Sequence, residues 1–285
     1  MYKEVGISSN NVPITLSIWY TERSSPTIVF LPGTMSHPLM YENFLCGLSE
    51  RGFNIIGVHY LSHGKSPKIK KNYIMEDMLH NVYDATTYGI ENFGENIVVM
   101  GSSQGGILAA MAAGRDTRLK AVFPHNIMLT TLKETMSLTK YPAWSHRFMG
   151  LIQLGFRVGG KLLPNYKVPG DAYLDYDRVF YSEQAKQDCL NDPMLLSYYP
   201  LRFVGSLFNA DLSCLENGAI QCPVILITAK GDPLFSFDYT NKVFDLIHVP
   251  QKELLALELN RHMIFNEDTD TTINALEPTL HKYLG

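Results

Sequence analysis

The stretch that decides the fold is NIVVMGSSQGGILAA, residues 96–110. Its first part, NIVVM, is a short apolar run of the kind found in strands that are buried on both faces. Its last part continues into GGILAAMAAG at 105–114, where the Ala-rich composition favours a helix. Between them lies GSSQG at 101–105, which fits the pattern G-x-S-x-G centred on Ser103. The stretch therefore predicts a strand, a tight turn that carries Ser103, and a helix.

Outward from this stretch, the chain alternates apolar runs with segments whose apolar residues recur at helical spacing. The apolar runs are TIVFLPG (27–33), FNIIGVHY (53–60), ENIVVMG (95–101), LKAVFPH (119–125), CPVILITAKGD (222–232) and KELLALE (252–258). Further helices are expected at 40–50, 74–93, 238–247 and 270–283, and the alternating stretch 13–20 predicts a half-buried strand. Buried strands separated by helices predict an α/β fold with a mostly parallel central sheet flanked by helices.

The alternation stops at residue 127 and resumes after residue 217. A connection of that length without structure is implausible inside a compact domain. We therefore expect an α/β core of residues 1–126 and 218–285 and an inserted, mostly helical cap of residues 127–217. Within this insert, residues 141–164 are mostly apolar, with a minority of basic side chains. A helix that roofs an apolar pocket is the favoured interpretation, and a helix resting on a lipid surface or an ordinary core helix are the alternatives.

Two later residues fit the chemistry that Ser103 would need. A serine hydroxyl is a poor nucleophile, and it requires a base within hydrogen-bond reach and an acid that orients the base. Asp232 follows the apolar run PVILITAK at 223–230, and His262 follows the run at 252–258, both where a parallel sheet gathers functional groups. Their order along the chain matches that of known Ser-Asp-His sets. We expect Ser103 to be the nucleophile, Asp232 the acid and His262 the base; a plain Asp-Pro turn and a solvated loop histidine are the alternatives.

Acyl transfer also requires a site that stabilises a developing oxyanion, usually with two backbone N–H groups. Gln104, at the start of the helix after Ser103, would supply one amide. Thr34, in the loop LPGTM at 31–35, would supply the other, although an ordinary Pro-Gly turn also explains that loop. The residues expected to line the substrate pocket are Met35, His125, Trp144 and Phe148.

No metal and no cofactor are expected. His59 and His63 are four residues apart, but Tyr60 stands where a zinc-protease helix would carry Glu. The segment 64–66 (GKS) lacks the upstream glycine of a phosphate-binding loop. Both motifs are therefore rejected.

Composition excludes several classes of protein. The 285 residues are 46% hydrophobic with a net charge of −4, whereas disordered chains carry fewer apolar residues and more net charge. The excess of acidic over basic residues argues against a nucleic-acid partner. The four cysteines form no C-x-x-C pair, and no apolar stretch follows a basic start. A reducing, cytoplasmic location is expected.

These motifs together resemble the α/β-hydrolase fold enzymes, over roughly residues 25–126 and 220–284. The matching elements are the Pro-Gly-Thr loop, SHGKS at 62–66, GSSQG, Gly231-Asp232 and Arg261-His262. The resemblance implies a Ser103–His262–Asp232 triad and an oxyanion hole formed by the amides of Thr34 and Gln104. Within that family, the carboxylesterase and the monoacylglycerol-lipase or lysophospholipase branch is the nearest in character. The chain departs from the family at Pro32, where many members carry His, and at His59 and Ser62, where many carry Asp and Gly.

The expected function is that of a serine hydrolase that cleaves carboxylic esters of small to medium hydrophobic substrates through an acyl-enzyme intermediate. The same triad also suits thioester, lactone or carbon–carbon bond hydrolysis and acyl transfer to an alcohol. A non-catalytic receptor that uses the capped pocket to bind a small molecule is an alternative from a different class. The expected partner is a small hydrophobic ester, with lipid-surface contact through the cap as a further expectation. The oligomeric state is left open.

Overall fold

The computed structural model of the protein describes residues 1–69 and 72–285, and ten strands lie within them. The strands are β1 (Tyr2–Ser9), β2 (Val12–Trp19), β3 (Thr27–Leu31), β4 (Asn54–His59), β5 (Ile97–Ser102), β6 (Val122–His125), β7 (Lys167–Pro169), β8 (Tyr198–Pro200), β9 (Val224–Ala229) and β10 (Lys252–Leu257). Eight of these described strands form one sheet in the order β1-β2-β4-β3-β5-β6-β9-β10. Within this sheet, the pairings of β2 with β1 and with β4 are antiparallel, and the other described pairings are parallel. The predicted mostly parallel sheet is therefore confirmed.

Helices cover both faces of this sheet. The helices are α1 (Glu42–Glu50), α2 (Met75–Phe93), α3 (Gln104–Ala113), α4 (Met149–Leu162), α5 (Tyr176–Val179), α6 (Glu183–Leu190), α7 (Leu201–Leu207), α8 (Phe237–Leu246), α9 (Ile264–Glu267) and α10 (Thr269–Leu284). Neighbouring side chains of β3 enter opposite cores: Ile28 lies among residues of α1 and α10, and Val29 lies among residues of α2 and α3. This double burial is the reason why β3 reads as an unbroken apolar run. The predicted α/β fold is confirmed.

The structure adds an edge strand, β1, that the apolar pattern does not reveal. Most side chains of β1 are exposed, because this strand lies at the edge of the sheet and pairs only with β2. Asn10 and Asn11 connect the two strands with φ angles of 47° and 63°. Two consecutive residues at positive φ form the turn that matches the twist of a hairpin, and Asn tolerates this conformation better than most residues.

Residues 127–217, called the insert below, lie between β6 and β9 along the chain. They contain α4 to α7, several 3-10 helices and a small antiparallel pair of β7 and β8. The two helices α4 and α7 pack closely against each other. A Cβ atom on Gly205 would lie only 2.6 Å from the carbonyl oxygen of Phe156. The insert is therefore a packed structure with its own short sheet in addition to its helices.

The sheet topology places the loops that carry the candidate site residues at one edge of the sheet. β3, β5, β6, β9 and β10 run parallel to one another, so their carboxyl ends lie on the same side. These ends lead into the loops that carry Thr34, Ser103, Asn126, Asp232 and His262. Among the helices in the described ranges, none is both long and apolar enough to cross a lipid bilayer.

Candidate active site

Ser103 occupies a strained turn between β5 and α3. Its φ and ψ angles are 53° and −112°, a region that residues with a side chain rarely adopt. The Ser103 amide donates to the carbonyl oxygen of His125 at 2.9 Å, and the Ser103 carbonyl accepts from the amide of Gly106 at 2.8 Å. These bonds on both sides of the residue hold the strained turn in place. Ser103 remains half-buried and lines a cavity.

The glycines around Ser103 allow α3 to pack directly on the ends of the strands. A Cβ atom on Gly101 would lie 2.0 Å from the Gly105 carbonyl oxygen. On Gly105 it would lie 2.1 Å from the Leu31 carbonyl oxygen. Both distances are far shorter than any real contact, and both involve backbone atoms that cannot rotate away. The two glycines of G-x-S-x-G are therefore required by packing as well as by the turn.

This packing predicts a large difference between two Gly→Ala substitutions. Gly105→Ala is expected to lower the free energy of unfolding by about 3 kcal/mol, because the backbone of β3 must shift. Gly155→Ala, at an exposed position of α4 with no atom within 4 Å of the new Cβ, is the matched control. It is expected to raise that free energy by about 0.5–1 kcal/mol through helix propensity. Urea unfolding followed by circular dichroism measures both, and equal stability of the two variants would contradict the packing argument.

Asp232 and His262 form a buried pair on two neighbouring loops. His262 Nδ1 lies 2.9 Å from Asp232 Oδ2, and the two residues are 2% and 4% exposed. The other carboxylate oxygen, Oδ1, accepts from the amides of Leu234 at 2.7 Å and Phe235 at 2.9 Å. The ring of Phe235 stacks on the imidazole of His262, with ring centroids 5.5 Å apart. The carboxylate is thus fixed on one side by backbone and directs its other oxygen at the imidazole.

The charge state of Asp232 follows from these contacts. Burial raises the pKa of the Asp232 carboxyl, but the charge and hydrogen bond of His262 and the amide of Phe235 outweigh burial, so the net pKa is below its ordinary value. An ionised carboxylate can only accept, so His262 Nδ1 carries the proton and donates it to Asp232. In the neutral imidazole, His262 Nε2 is then left with a lone pair, as a base requires.

Asn126 is a member of this site that sequence reasoning missed. Its Nδ2 donates to Asp232 Oδ2 at 2.9 Å, and its Oδ1 accepts from Thr228 Oγ1 at 3.1 Å. Asn126 follows β6 with a φ of 61°, so the backbone turns the side chain toward the neighbouring strand β9. The amide oxygen and nitrogen are both bonded, which fixes the donor that faces Asp232. Its position directly after a predicted strand was the available signal.

His125 is buried beside the Asp232–His262 pair and carries no charge of its own. Its Nε2 accepts from Asn126 Nδ2 at 3.1 Å, and burial lowers the pKa of His125 to about 3, so the ring is neutral. Donor atoms of His125, Asp232 and His262 lie within 4.8 Å of one another, which is close enough for a metal site. However, Asp232 Oδ2 and His262 Nδ1 are bonded to each other. The arrangement therefore fits a hydrogen-bonded relay better than a set of free metal ligands.

The two residues whose amides are expected to bind an oxyanion line the same cavity as Ser103. Gln104 is the first residue of α3, where backbone N–H groups lack partners within the helix. Thr34 lies in the loop after β3 and lines the Ser103 cavity. Within the described ranges, neither the Thr34 nor the Gln104 amide donates a hydrogen bond to another protein group. Both donors are thus available next to the Ser103 side chain.

A largely apolar cavity brings Ser103, His262 and Thr34 together. Its apolar lining comes from both parts of the chain: Met35, Met40, Tyr41 and Met263 from the core, and Leu174, Tyr176, Val179, Phe180, Leu190 and Leu195 from the insert. A second cavity shares Thr34, Ser103, Leu174 and Leu234 with the first. It extends to Ile107, Leu207 and Phe208. Two apolar spaces therefore meet at Ser103.

The structure brings only one of the four expected pocket residues to a cavity wall. Met35 lines the first cavity. His125 lies beneath it, 1% exposed, in contact with the His262 ring rather than with the cavity. Trp144 and Phe148 are 68% and 39% exposed and line neither cavity. The expectation for these two residues is corrected, because they lie on the outside of the insert and Leu174 and its neighbours occupy the inner wall.

Comparison with known proteins gives one family match. The sequence model of the family described as serine aminopeptidase, S33, matches residues 22–269 of this chain. A comparison with curated protein sequences finds no match. The matched residues include the whole of 127–217 and the loops that carry Ser103, Asp232 and His262.

Several solved structures are similar to this one. A monoacylglycerol lipase of Paleococcus ferrophilus has a TM-score of 0.76 at 19% identity, covering 95% of this chain and 99% of that chain. A soluble variant of the monoglyceride lipase of Saccharomyces cerevisiae, in complex with a substrate analogue, has a TM-score of 0.76 at 16% identity, with coverages of 98% and 94%. A thermostable carboxyl esterase of Bacillus coagulans, in complex with glycerol, has a TM-score of 0.75 at 14% identity, with coverages of 100% and 99%. At these identities the likeness establishes a shared fold.

Proposed function

Because the chain belongs to the serine aminopeptidase S33 family of α/β hydrolases, we propose that it hydrolyses carboxylic esters of hydrophobic substrates through an acyl-enzyme on Ser103. One observation carries the proposal. The strained turn presents Ser103 to the same cavity as His262, and His262 is hydrogen-bonded to the buried Asp232. A histidine that is oriented by a carboxylate and lines the same cavity as a serine supports activation of the serine hydroxyl.

The proposed reaction has two stages. In the first, Ser103 Oγ attacks the ester carbonyl, His262 Nε2 takes the hydroxyl proton, and the amides of Thr34 and Gln104 bind the oxyanion. His262 then gives its proton to the leaving alcohol. In the second stage, water attacks the acyl-enzyme with His262 again as the base, and the acid leaves. Asp232 orients the imidazole and stabilises its charged form throughout.

The lining of the two cavities supports a hydrophobic ester rather than a charged substrate. Aliphatic and aromatic side chains dominate both walls around Ser103. Such walls hold alkyl or aryl groups by excluding water, and a substrate with an apolar portion on each side of the carbonyl would use both spaces. The similar structures include two monoacylglycerol or monoglyceride lipases and a carboxyl esterase, which is consistent with this substrate class.

A substrate panel tests this proposal against its alternatives. We expect p-nitrophenyl butyrate and octanoate to be hydrolysed with a higher kcat/KM than p-nitrophenyl acetate, because a longer acyl group fills more of the apolar wall. Acyl thioesters, lactones and amino-acid p-nitroanilides provide the other arms of the panel. Faster cleavage of the p-nitroanilides would make the protein a peptidase. No turnover of any arm, combined with tight binding of an ester analogue, would support the receptor alternative.

We also propose that the insert, residues 127–217, acts as the cap of the site, with residues 1–126 and 218–285 as the core. Leu174, Tyr176 and Leu195 of the insert line the cavity opposite Ser103 and His262. A hydrophobic cover over the reacting atoms excludes water and strengthens electrostatic interactions within the site.

The cysteines support the proposed cytoplasmic location. All four cysteines, Cys46, Cys189, Cys214 and Cys222, are free thiols and are partly buried. Burial raises the pKa of Cys189 to about 12, so this thiol at the cavity wall is not an activated nucleophile. Unpaired structural thiols of this kind are typical of a reducing compartment.

The outside of α4 supports contact with a lipid surface. Leu151 and Leu162 are 67% and 74% exposed, and Trp144 lies just before the same helix. The segment 141–164 carries basic residues and no acidic residue. Lys161 lines a groove beside α4 together with two arginines. An exposed apolar stripe flanked by cations matches the surface of an anionic membrane.

The paired substitution Leu151→Ser and Leu162→Ser is expected to weaken binding to phosphatidylglycerol-containing vesicles by at least about tenfold, because two exposed leucines no longer enter the acyl region. Vesicle co-sedimentation measures this partition. Tyr83→Ser, at a 49% exposed aromatic residue on α2, is the control and should bind like the wild type. Equal binding by all three proteins would contradict a role for the outer side of α4.

A further inference from the structure

Tyr199, on β8 of the insert, lies between the two sides of the expected oxyanion site. It is 0% exposed. Its hydroxyl accepts from the backbone amide of Met35 at 2.8 Å and from Gln104 Nε2 at 3.2 Å. Met35 directly follows Thr34, and Gln104 directly follows Ser103. One hydroxyl of the insert therefore links the loop after β3 to the start of α3.

A third hydrogen bond completes the environment of this hydroxyl. His63 Nδ1 lies 2.9 Å from the carbonyl oxygen of Leu61, which can only accept, so Nδ1 carries a proton. Burial lowers the pKa of His63 to about 4, and the ring is neutral with a lone pair on Nε2. Tyr199 must then donate its own proton to His63 Nε2, at 3.0 Å. The hydroxyl thus donates one bond and accepts two, which is its full capacity.

Other bonds from the same part of the insert hold the same loop. The Leu196 amide donates to the Met35 carbonyl oxygen at 3.0 Å. Asp192 Oδ2 pairs with His37 Nε2 at 2.9 Å. Both backbone polar groups of Met35 are therefore bonded to the insert. Met35 has a φ of 61°, a conformation that is costly for a residue with a side chain and that needs such support.

We propose that Tyr199 is a positioning residue that fixes the Thr34 amide relative to the Gln104 amide in the oxyanion site. The inference rests on the proposed function, because it concerns the same reaction. The Thr34 and Met35 amides belong to consecutive peptide units, so holding the second restricts the orientation of the first. An oxyanion donor contributes fully only when it is preorganised at hydrogen-bond distance from the developing charge. The insert is then part of the catalytic geometry in addition to covering the cavity.

Tyr199→Phe tests this role, because it removes only the hydroxyl and retains the ring, whose centroid lies 4.1 Å from that of Phe203. We expect kcat for p-nitrophenyl butyrate to fall about tenfold, a fraction of the loss seen on removing a whole oxyanion donor. KM should change by less than about twofold, since the substrate carbonyl in the ground state depends little on these amides. The rate of inactivation by a fluorophosphonate should fall by a similar factor, because phosphonylation also develops negative charge on oxygen.

Tyr239→Phe is the matched control for lost stability. The Tyr239 hydroxyl is also buried and accepts from a backbone amide, that of Leu129, at 2.9 Å, and it bonds Thr135 Oγ1 at 2.9 Å. This variant should lower Tm about as much as Tyr199→Phe while retaining the wild-type kcat. If both variants lose kcat equally, or if Tyr199→Phe loses stability and keeps kcat, Tyr199 is merely structural and the proposal is overturned.

Two further measurements distinguish a failure of the inference about Tyr199 from a failure of the proposed function. If Tyr199→Phe does not fold, Gln104→Met removes one bond of the same hydroxyl, and kcat should fall about threefold with KM unchanged; an unchanged kcat would overturn the proposal. If the wild-type protein itself neither hydrolyses esters nor reacts with the fluorophosphonate, the proposed function fails and this inference fails with it. A reactive wild type with an equally reactive Tyr199→Phe overturns the inference alone.

Discussion

Ser103→Ala is expected to lower kcat/KM for p-nitrophenyl butyrate by at least about 10⁴-fold, because the acyl-enzyme can no longer form. The substitution removes one oxygen from a half-buried side chain that faces a cavity, and the turn around it is held by backbone bonds to His125 and Gly106. The fold should therefore survive. Steady-state kinetics with the purified variant, together with its circular dichroism spectrum and Tm, measures both effects.

The neighbouring serine provides the control for this prediction. Ser102 is the last residue of β5, 2% exposed, and its Oγ accepts from Tyr41 at 3.4 Å rather than facing the cavity. Ser102→Ala should retain kcat/KM within about threefold, because a single long, neutral hydrogen bond contributes little. Activity that survives in Ser103→Ala, or is lost only in Ser102→Ala, would contradict the role given to Ser103.

Asp232→Asn is expected to lower kcat/KM by about 10³- to 10⁴-fold. The amide oxygen in place of Oδ1 can still accept from Leu234 and Phe235, but an NH₂ group would then face His262 Nδ1. The imidazole would have to carry its proton on Nε2, which leaves no base directed at Ser103. Measurement of kcat and KM across neutral pH tests this, since the tautomer defect persists at every pH where the wild type is active.

The activity lost in Asp232→Asn is not expected to return at acid pH. The pKa of Asp232 is below its ordinary value in the folded protein, so the carboxylate of the wild type stays ionised to a pH below the range in which a free aspartate takes up its proton. Its interactions stabilise the folded state above that range and are lost as the pH falls through the folded-state pKa. Asp116→Asn is the control, because Asp116 is also buried and pairs with Arg118 away from the cavity. Wild-type activity in Asp232→Asn, or equal loss in Asp116→Asn, would contradict the account.

The sequence indicated the fold and the positions of Ser103, Asp232 and His262 for one physical reason. Strands buried on both faces produce unbroken apolar runs, and the carboxyl ends of parallel strands lie on one edge of the sheet. A reactive residue that directly follows such a run can therefore be placed without knowledge of its contacts. The glycines around Ser103 were visible for a related reason, because only glycine permits α3 to approach the strands so closely.

Contacts between side chains that lie far apart along the chain could not be read in the same way. Asn126 meets Asp232 across 106 positions, and Tyr199 meets Met35 across 164 positions. Each of them is one of many polar or aromatic residues in the chain, and the neighbouring sequence does not indicate which residue its side chain contacts. The apolar composition of residues 141–164 likewise indicated a helix without showing which of its sides faces the cavity. The exposed Trp144 and Phe148 were assigned to the pocket for this reason.

Covalent labelling tests most directly whether Ser103 is the nucleophile that His262 and Asp232 activate. The protein is incubated with a fluorophosphonate, and intact mass spectrometry is followed by peptide mapping. We expect a single adduct on Ser103 in the wild type and in Ser102→Ala, strongly slowed labelling in Asp232→Asn, and none in Ser103→Ala. An adduct on a different residue, or ester hydrolysis by a protein that takes no label at Ser103, would contradict the role of Ser103 as the nucleophile.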